Sequence, residues 1–89
     1  MSVYHDRVTL GTAAVEIVPA FHNAQYVMLH NMTKSSNQYI FVGGSAVTTT
    51  NSIHIDPGDN LDFQLPPGDS LYALSNPNGL EVGILVMRR

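Results

Sequence analysis

Hydrophobic and polar residues alternate over short stretches of the chain, and turn-forming residues separate these stretches at even spacing. In the segment NLDFQL, 60–65, Leu61, Phe63 and Leu65 alternate with polar residues, which is the period of a strand with one buried face. About eight such segments occur, with a turn roughly every 8–12 residues. This pattern predicts an all-β, single-domain antiparallel β-sandwich, either jelly-roll-like or Ig-like. The predicted strands are 3–10, 14–19, 25–33, 38–42, 52–55, 60–65, 70–75 and 80–87.

Two of the predicted strands carry candidate interface residues, and one of the two is apolar on both faces. In the strand 25–33, Tyr26, Met28 and Met32 share one face; we expect it to lie in the core, and an interface is the alternative, because Tyr and Met are enriched at interfaces. In the strand 80–87, apolar residues fill both faces. That pattern predicts a central strand or one that a partner covers, and it is the strongest indication of oligomerisation.

The tripeptide Pro-Gly-Asp occurs twice, ten residues apart, and both copies separate predicted strands. Proline sets φ near −65° at one turn position, and glycine supplies the positive φ that the next position of a type II turn requires. A double glycine and an Asn-Pro-Asn-Gly run mark further turns. The predicted structural turns are marked by Gly43, Gly44, Pro57, Gly58, Pro67, Gly68 and Gly79.

Composition narrows the classes of partner. The 89 residues are 44% hydrophobic and 12% charged, with a net charge of −3 and four basic residues, so neither disorder nor nucleic-acid binding is predicted. No stretch reaches the ~20 apolar residues of a membrane span. Asp6 and Arg7 stand where a signal peptide would need its apolar run. The absence of cysteine excludes disulfides and thiolate sites. We expect one domain, 1–89.

The search for chemistry centres on four histidines, His5, His22, His30 and His54. They are scattered, with no H-x-H pair of the kind that β-barrel metal sites use. We expect His54 to face solvent and His30 to be half-buried. No nucleophile motif is present. The sequence therefore predicts no catalytic site, no metal and no cofactor, with a small cupin-like metalloenzyme as the rival hypothesis if several histidines converge.

Surface-binding residues are predicted instead. Residues 1–4 are candidates for an extended arm that adds to a neighbour's sheet, with a frayed terminus as the alternative. The predicted interface residues are Val3, Tyr4, Tyr26, Met28, Met32 and Met87.

The run VGGSAVTTTNSIHIDPGDNLDFQLPPGDSLYALSNPNGLEVGILV, 42–86, resembles small β-sandwich virion proteins of tailed bacteriophages. Their pattern is V-G-G-S-x-V-T-x-x-N, an acidic Gly turn, an alternating strand and L-Y-A before a final strand. The first 35 residues carry no part of this resemblance. The matching residues are Val42, Gly43, Gly44, Ser45, Val47, Thr48, Asn51, Ile53, Ile55, Gly58, Leu61, Leu71, Tyr72 and Ala73.

The resemblance implies a non-enzymatic, multicopy structural protein of the virion. Within that class we favour a capsid decoration, or cement, protein: a homotrimer that binds the major capsid protein of the assembled shell at symmetry axes. Such a protein lies on the capsid surface and assembles in the host cytoplasm. A β-module of the tail, baseplate or fibre, with a possible role in binding the host surface, is the alternative.

Overall fold

In the computed structural model, the described residues, 2–88, form eight strands and no helix; the side chain of Ser2 is outside the description. None of these residues belongs to a helix that could cross a membrane. The strands are β1 (Ser2–Thr9), β2 (Val15–Val18), β3 (Gln25–Asn31), β4 (Tyr39–Gly43), β5 (Ile53–Ile55), β6 (Asn60–Leu65), β7 (Leu71–Asn76) and β8 (Glu81–Arg88).

The strands form two antiparallel four-stranded sheets. The first sheet has the order β1-β8-β3-β6 and the second has the order β2-β7-β4-β5. Only β4 and β5 are consecutive neighbours within a sheet, and each other connection crosses from one sheet to the other. Two sheets with this order are the eight-stranded jelly roll, not an Ig-like sandwich with its different strand count and order. The prediction of an all-β sandwich of about eight strands is confirmed, and the jelly-roll form is the one observed.

Strand β8 is central, and β1 is an edge. Strand β8 pairs with β1 on one side, from Ser2↔Arg88 to Thr9↔Glu81, and with β3 on the other. Its two apolar faces are therefore explained by its position between two strands. The segment considered as an arm is in part a strand of this chain's own sheet, because 2–4 pair with β8; Met1 lies outside the described residues.

Alternation decides which side chains enter the core. In β3, Val27 and Leu29 are fully buried, whereas Tyr26 and Met28 are exposed. The expectation that the Tyr/Met face of this strand belongs to the core is therefore wrong, and the opposite face is buried. The hydrophobic core is formed by Leu10, Ile17, Val18, Val27, Leu29, Ile40, Val42, Ile55, Leu65, Leu71, Ala73, Leu80, Val82, Ile84 and Val86.

Both Pro-Gly-Asp copies form turns with glycine at positive φ, 78° at Gly58 and 82° at Gly68. In each turn the N–H of the aspartate donates to the carbonyl of the residue before the proline. The distance is 3.0 Å from Asp59 to Asp56 and 3.2 Å from Asp69 to Pro66. The N–H groups of the two glycines donate to carbonyls at and before β3. Gly58 donates to Asn31, the last residue of the strand, at 3.1 Å, and Gly68 donates to Phe21, which precedes the strand, at 2.8 Å. The two turns thus hold both ends of the segment that contains β3.

The remaining predicted turn residues lie at two other connections. Gly43 is the last residue of β4, and the N–H of Val47 donates to the carbonyl of Gly44 at 3.0 Å, which closes a tight turn. Gly79 has φ 92° and lies in the turn before β8, separated from the strand by Leu80.

A buried asparagine links the two sheets. The side chain of Asn31 at the end of β3 donates to the carbonyls of Gln38 at 2.9 Å and Ile55 at 3.0 Å, next to and within strands of the second sheet. Its Oδ1 accepts from the N–H and hydroxyl of Thr33, at 3.1 and 2.7 Å. All polar atoms of this side chain are therefore paired, as burial requires.

Candidate interface on the outer face of the first sheet

The outer face of the first sheet carries neighbouring apolar side chains in two rows across the strands. Val3 is opposite Met87, and Met87 is opposite Tyr26. In the next row, Leu85 is opposite Met28. Residues directly opposite on one face of antiparallel strands lie roughly 5 Å apart at Cβ, so these five side chains are contiguous. We call Val3, Tyr26, Met28, Leu85 and Met87 the outer patch.

The outer patch is accessible to solvent. Val3 is 59% exposed, Met28 39% and Tyr26 38%, while Leu85 and Met87 are half-buried. Isolated apolar side chains on a surface are ordinary, but contiguous ones with a polar surround are typical of interaction sites. Met and Tyr are also residue types enriched in interfaces. This face therefore has the composition of a protein-binding surface.

Two hydrogen bonds between β3 and β6 border the outer patch. The hydroxyl of Tyr26 donates to a carboxylate oxygen of Asp62, and Nδ1 of His30 pairs with Oδ1 of Asn60. The bond to Asp62 raises the pKa of the Tyr26 phenol above 10.0, with partial loss of hydration and the charge of Asp62 as smaller causes. These bonds tie the Tyr26 and His30 side chains of β3 to β6.

A shallow depression adjoins the patch where Gly83 interrupts β8. Gly83 lies opposite Arg7 on one side and His30 on the other, so β8 itself contributes no side chain between them. A β-carbon placed at Gly83 would be 3.3 Å from Sδ of Met32, which leans over the glycine. The depression is open to solvent and has a volume of about 480 Å³. Glycine within a strand often marks such a place of close approach.

The structure brings five of the six predicted interface residues onto this one face. They come from three strands and the residue after β3: Val3, Tyr26, Met28, Met32 and Met87.

Tyr4 is the residue that lies elsewhere. It follows Val3 in the strand, so it points toward the core, where the guanidinium of Arg88 stacks 4.5 Å from its ring centroid. Arg88 also lies 4.7 Å from the ring of Phe21 and donates to Gln25 at 2.7 Å. Tyr4 thus closes one end of the sandwich.

Sequence reasoning missed two residues of this surface, Leu85 and Gly83. A signal for Leu85 was present, because it alternates with Met87 on the second apolar face of the last strand. Gly83 carried no comparable signal, since its effect depends on which strands lie on either side of it.

The histidines are distributed over different parts of the sandwich. His5 and His30 border the depression, and His30 is exposed, which corrects the expectation that it is half-buried. His22 stacks on Phe21, with ring centroids 4.3 Å apart. His54 lies on the second sheet and is exposed, as expected. Within residues 2–88, no three His, Cys, Asp or Glu side chains are grouped so that they could hold a metal ion.

The outer face of the second sheet has a smaller aromatic surface. Tyr39 and His54 meet edge to face with centroids 5.5 Å apart, and Phe41 lies 6.3 Å from His54. His54 Nε2 also lies 3.1 Å from a carboxylate oxygen of Asp56. The space between these rings is about 310 Å³. We call Tyr39, Phe41 and His54 the aromatic cluster.

Comparison with known proteins adds little to this geometry. No family model and no curated protein matches the chain. One similar solved structure is described as "Bacillus endospore appendages form a novel family of disulfide-linked pili". It is 14% identical, with 96% of this chain and 86% of that chain covered and a TM-score of 0.48. A match at this level establishes neither family nor function.

Proposed function

We propose that this chain is a non-enzymatic structural protein of a tailed-phage virion, a capsid decoration protein that binds the assembled shell through the outer patch. One observation carries the proposal: five residues predicted as interface residues lie on one exposed sheet face. The resemblance of 42–86 to small phage virion proteins supplies the identity of the partner, the major capsid protein. The virion surface is then the proposed location.

The size of the face indicates how the protein would bind. Four strands at about 4.8 Å spacing and eight residues at about 3.4 Å rise cover roughly 19 by 27 Å, or about 500 Å². A standard stable interface buries about 800 Å² on each partner. One face against one coat subunit is therefore a weak contact. A chain that bridges neighbouring coat subunits gains from effective concentration, and many weak contacts then suffice.

Stabilisation of the shell follows from mass action. A protein that binds the assembled lattice and not the free coat subunits adds its binding free energy to the assembled state. The effect grows with the concentration of the decoration protein and ceases when the sites are saturated. No catalytic step is required of the chain.

The test uses virions of the phage or prophage whose genome carries the coding sequence. Mass spectrometry of purified particles should find the chain in many copies. Particles from a deletion strain should release DNA at a lower temperature, and added protein should restore the wild-type temperature. Absence of the chain from purified virions, or a release temperature that is indifferent to saturating protein, would refute the proposal.

Two variants locate the binding face. Met28→Lys places a charge within the outer patch, beside Leu85, and the added variant should fail to restore the wild-type release temperature. Thr49→Lys adds the same charge to an exposed loop and should restore like wild type. Equal loss in both variants would mean that charge, and not the outer patch, governs binding.

The aromatic cluster favours a second candidate, a tail or fibre module that binds host-surface sugars. Aromatic rings beside an imidazole–carboxylate pair can contact the apolar face of a sugar while the polar groups hydrogen-bond its hydroxyls. A glycan array separates the two functions. Selective sugar binding that Phe41→Ala abolishes would support the fibre module, and binding to shells with no glycan response would support decoration.

A further inference from the structure

The four sheet edges are protected to different degrees. Strand β5 has three residues, and β2 has four with a register shift between Glu16 and Val18. Strand β6 has six residues and ends at the prolines of 66–67. Short strands, bulges and prolines are the devices by which proteins prevent edge-to-edge pairing.

Strand β1 has none of these three devices, and its protection against pairing is limited to the charged side chains of Asp6 and Arg7. It has eight residues, pairs with β8 without a register shift, and contains no proline, glycine or lysine. Its far edge is unpaired in this chain, because β1 is the last strand of its sheet. Val3 on this strand is 59% exposed, more than Val15 on β2 at 40%, while Ile53, at 64%, lies on the three-residue edge strand β5. An edge of this kind is a template for another strand.

We propose that β1 pairs with β1 of a second copy, antiparallel, across a two-fold axis normal to the sheet. This inference is independent of shell binding. The pairing joins two first sheets into one continuous eight-stranded sheet. A two-fold axis in that direction places the outer patches of both copies on the same side. The two patches then form parts of one larger surface, with Val3 of each copy at the seam between them.

The charges of β1 select one register. Directly opposite residues lie on the same face of the sheet, so a symmetric pair places one residue opposite its own copy. If Asp6 lies on the axis, the carboxylates of the two copies face each other. If Arg7 lies on the axis, the two guanidinium groups face each other. Both registers are destabilised by like charges directly opposite. With His5 on the axis no like formal charges are opposite, and 2–8 of both copies pair.

The register centred on His5 is also the longest of the acceptable ones. A pair centred on Tyr4 joins only 2–6. Around His5, Val3 is opposite Arg7 of the second copy, whose aliphatic stem can cover the exposed valine. No carboxylate of the described residues lies within ion-pair distance of Arg7 in its own chain. The strand is therefore self-complementary in this one alignment.

The pairing predicts a dimer, which differs from the trimer that the resemblance implies. Native mass spectrometry and light scattering from about 1 µM to about 1 mM span the range in which small interfaces dissociate. We expect a concentration-dependent dimer. A chain that stays monomeric at about 1 mM, or forms a trimer, overturns the proposal. Neither result bears on shell binding, which is measured separately on virions.

Single cysteines report the register, because the chain has no cysteine of its own. His5→Cys places two thiols opposite each other, at about 5 Å between Cα atoms, within the range of a disulfide. Asp6→Cys and Tyr4→Cys would leave roughly 8 Å between the Cα atoms, since each is offset by two residues from its copy. Faster oxidative cross-linking of His5→Cys than of the other two supports the register; faster cross-linking of Asp6→Cys overturns it.

A charge pair tests the same register without oxidation. Val3→Lys faces Arg7 of the second copy and should shift the dimer to monomer, while Val15→Lys on β2 should leave it unchanged. The double variant Val3→Lys with Arg7→Glu should restore the dimer, because opposite charges then face each other across the axis. Circular dichroism confirms that each variant is folded. A folded double variant that remains monomeric overturns the register.

Discussion

Replacement of Asn31 by alanine tests whether a buried polar group holds the two sheets together. The side chain is fully buried and makes four hydrogen bonds, two of which reach carbonyls at Gln38 and Ile55 beside the second sheet. Alanine removes all four bonds. The carbonyl of Ile55 then loses a donor in a buried position, where the bond itself is shielded from water.

The expected loss follows from the bond count. A typical intramolecular hydrogen bond contributes about 1 kcal/mol net, so four bonds amount to about 4 kcal/mol. At roughly 0.05–0.15 kcal/mol per residue, a domain of this length has a total stability of about 4–13 kcal/mol. The variant should therefore lose a large share of its stability. In a domain of this size, each 1 kcal/mol lowers the Tm by about 4–8 °C, which predicts a fall of at least about 15 °C.

Urea unfolding followed by far-ultraviolet circular dichroism measures this loss, and an unchanged m-value shows that the unfolded state is comparable. Thr33→Val is the matched control. It removes the hydroxyl that donates to Asn31 at 2.7 Å, together with that hydroxyl's longer contact of 3.4 Å to the carbonyl of Gln38. Both inter-sheet bonds of Asn31 remain, so we expect a loss of only about 1 kcal/mol. If Asn31→Ala costs no more than Thr33→Val, the inter-sheet bonds do not stabilise the fold as argued.

Three further predictions follow from the turns and the outer face. Gly58→Ala or Gly68→Ala should each cost about 1–2 kcal/mol in urea unfolding, because both glycines have positive φ; an unchanged midpoint would contradict the assigned backbone. Asp62→Asn should lower the pKa of Tyr26 toward 10.0. An ultraviolet titration of the tyrosines measures this change, and the Tyr26→Phe variant identifies which part of the titration belongs to Tyr26. Because the pKa of Tyr26 is raised in the folded state, the Tyr26–Asp62 bond stabilises the fold below about pH 10, and this stabilisation is lost as the pH rises further. The wild type, and not Asp62→Asn, should therefore show this loss of stability at alkaline pH. Met28→Lys should change the free energy of unfolding by less than about 0.5 kcal/mol, since the side chain is exposed, and a larger loss would mean that it is part of the core.

Local sequence signals predicted the strands and turns well, for reasons visible in particular residues. In β6, Leu61, Phe63 and Leu65 face inward and the polar residues between them face solvent. The glycines of both Pro-Gly-Asp copies have the positive φ that a type II turn requires. Such features depend on residues within a few positions of each other. They are therefore readable without knowledge of the rest of the fold.

The orientation of β3 was not readable in this way. Its buried face includes two polar residues, Gln25 and Asn31, and its exposed face includes Met28. Judged by hydrophobicity alone, the two faces are nearly equal. What decides between them is the set of partners for the polar groups, such as Arg88 for Gln25, at the other end of the chain. These partners depend on strand order, which no local pattern specifies.

The position of the outer patch depends on the same long-range information. Val3, Met28 and Met87 come from three strands that are adjacent only because β8 inserts between β1 and β3. The segment 21–31, which contains β3, is in turn held at both ends by the glycine N–H groups of the two Pro-Gly-Asp turns that flank β6. The repeated tripeptide, which the sequence predicts to form two turns, therefore supports the orientation of β3. A change at either turn should disturb the outer face even though neither turn touches the outer patch, and loss of shell binding in a folded turn variant would follow from that geometry.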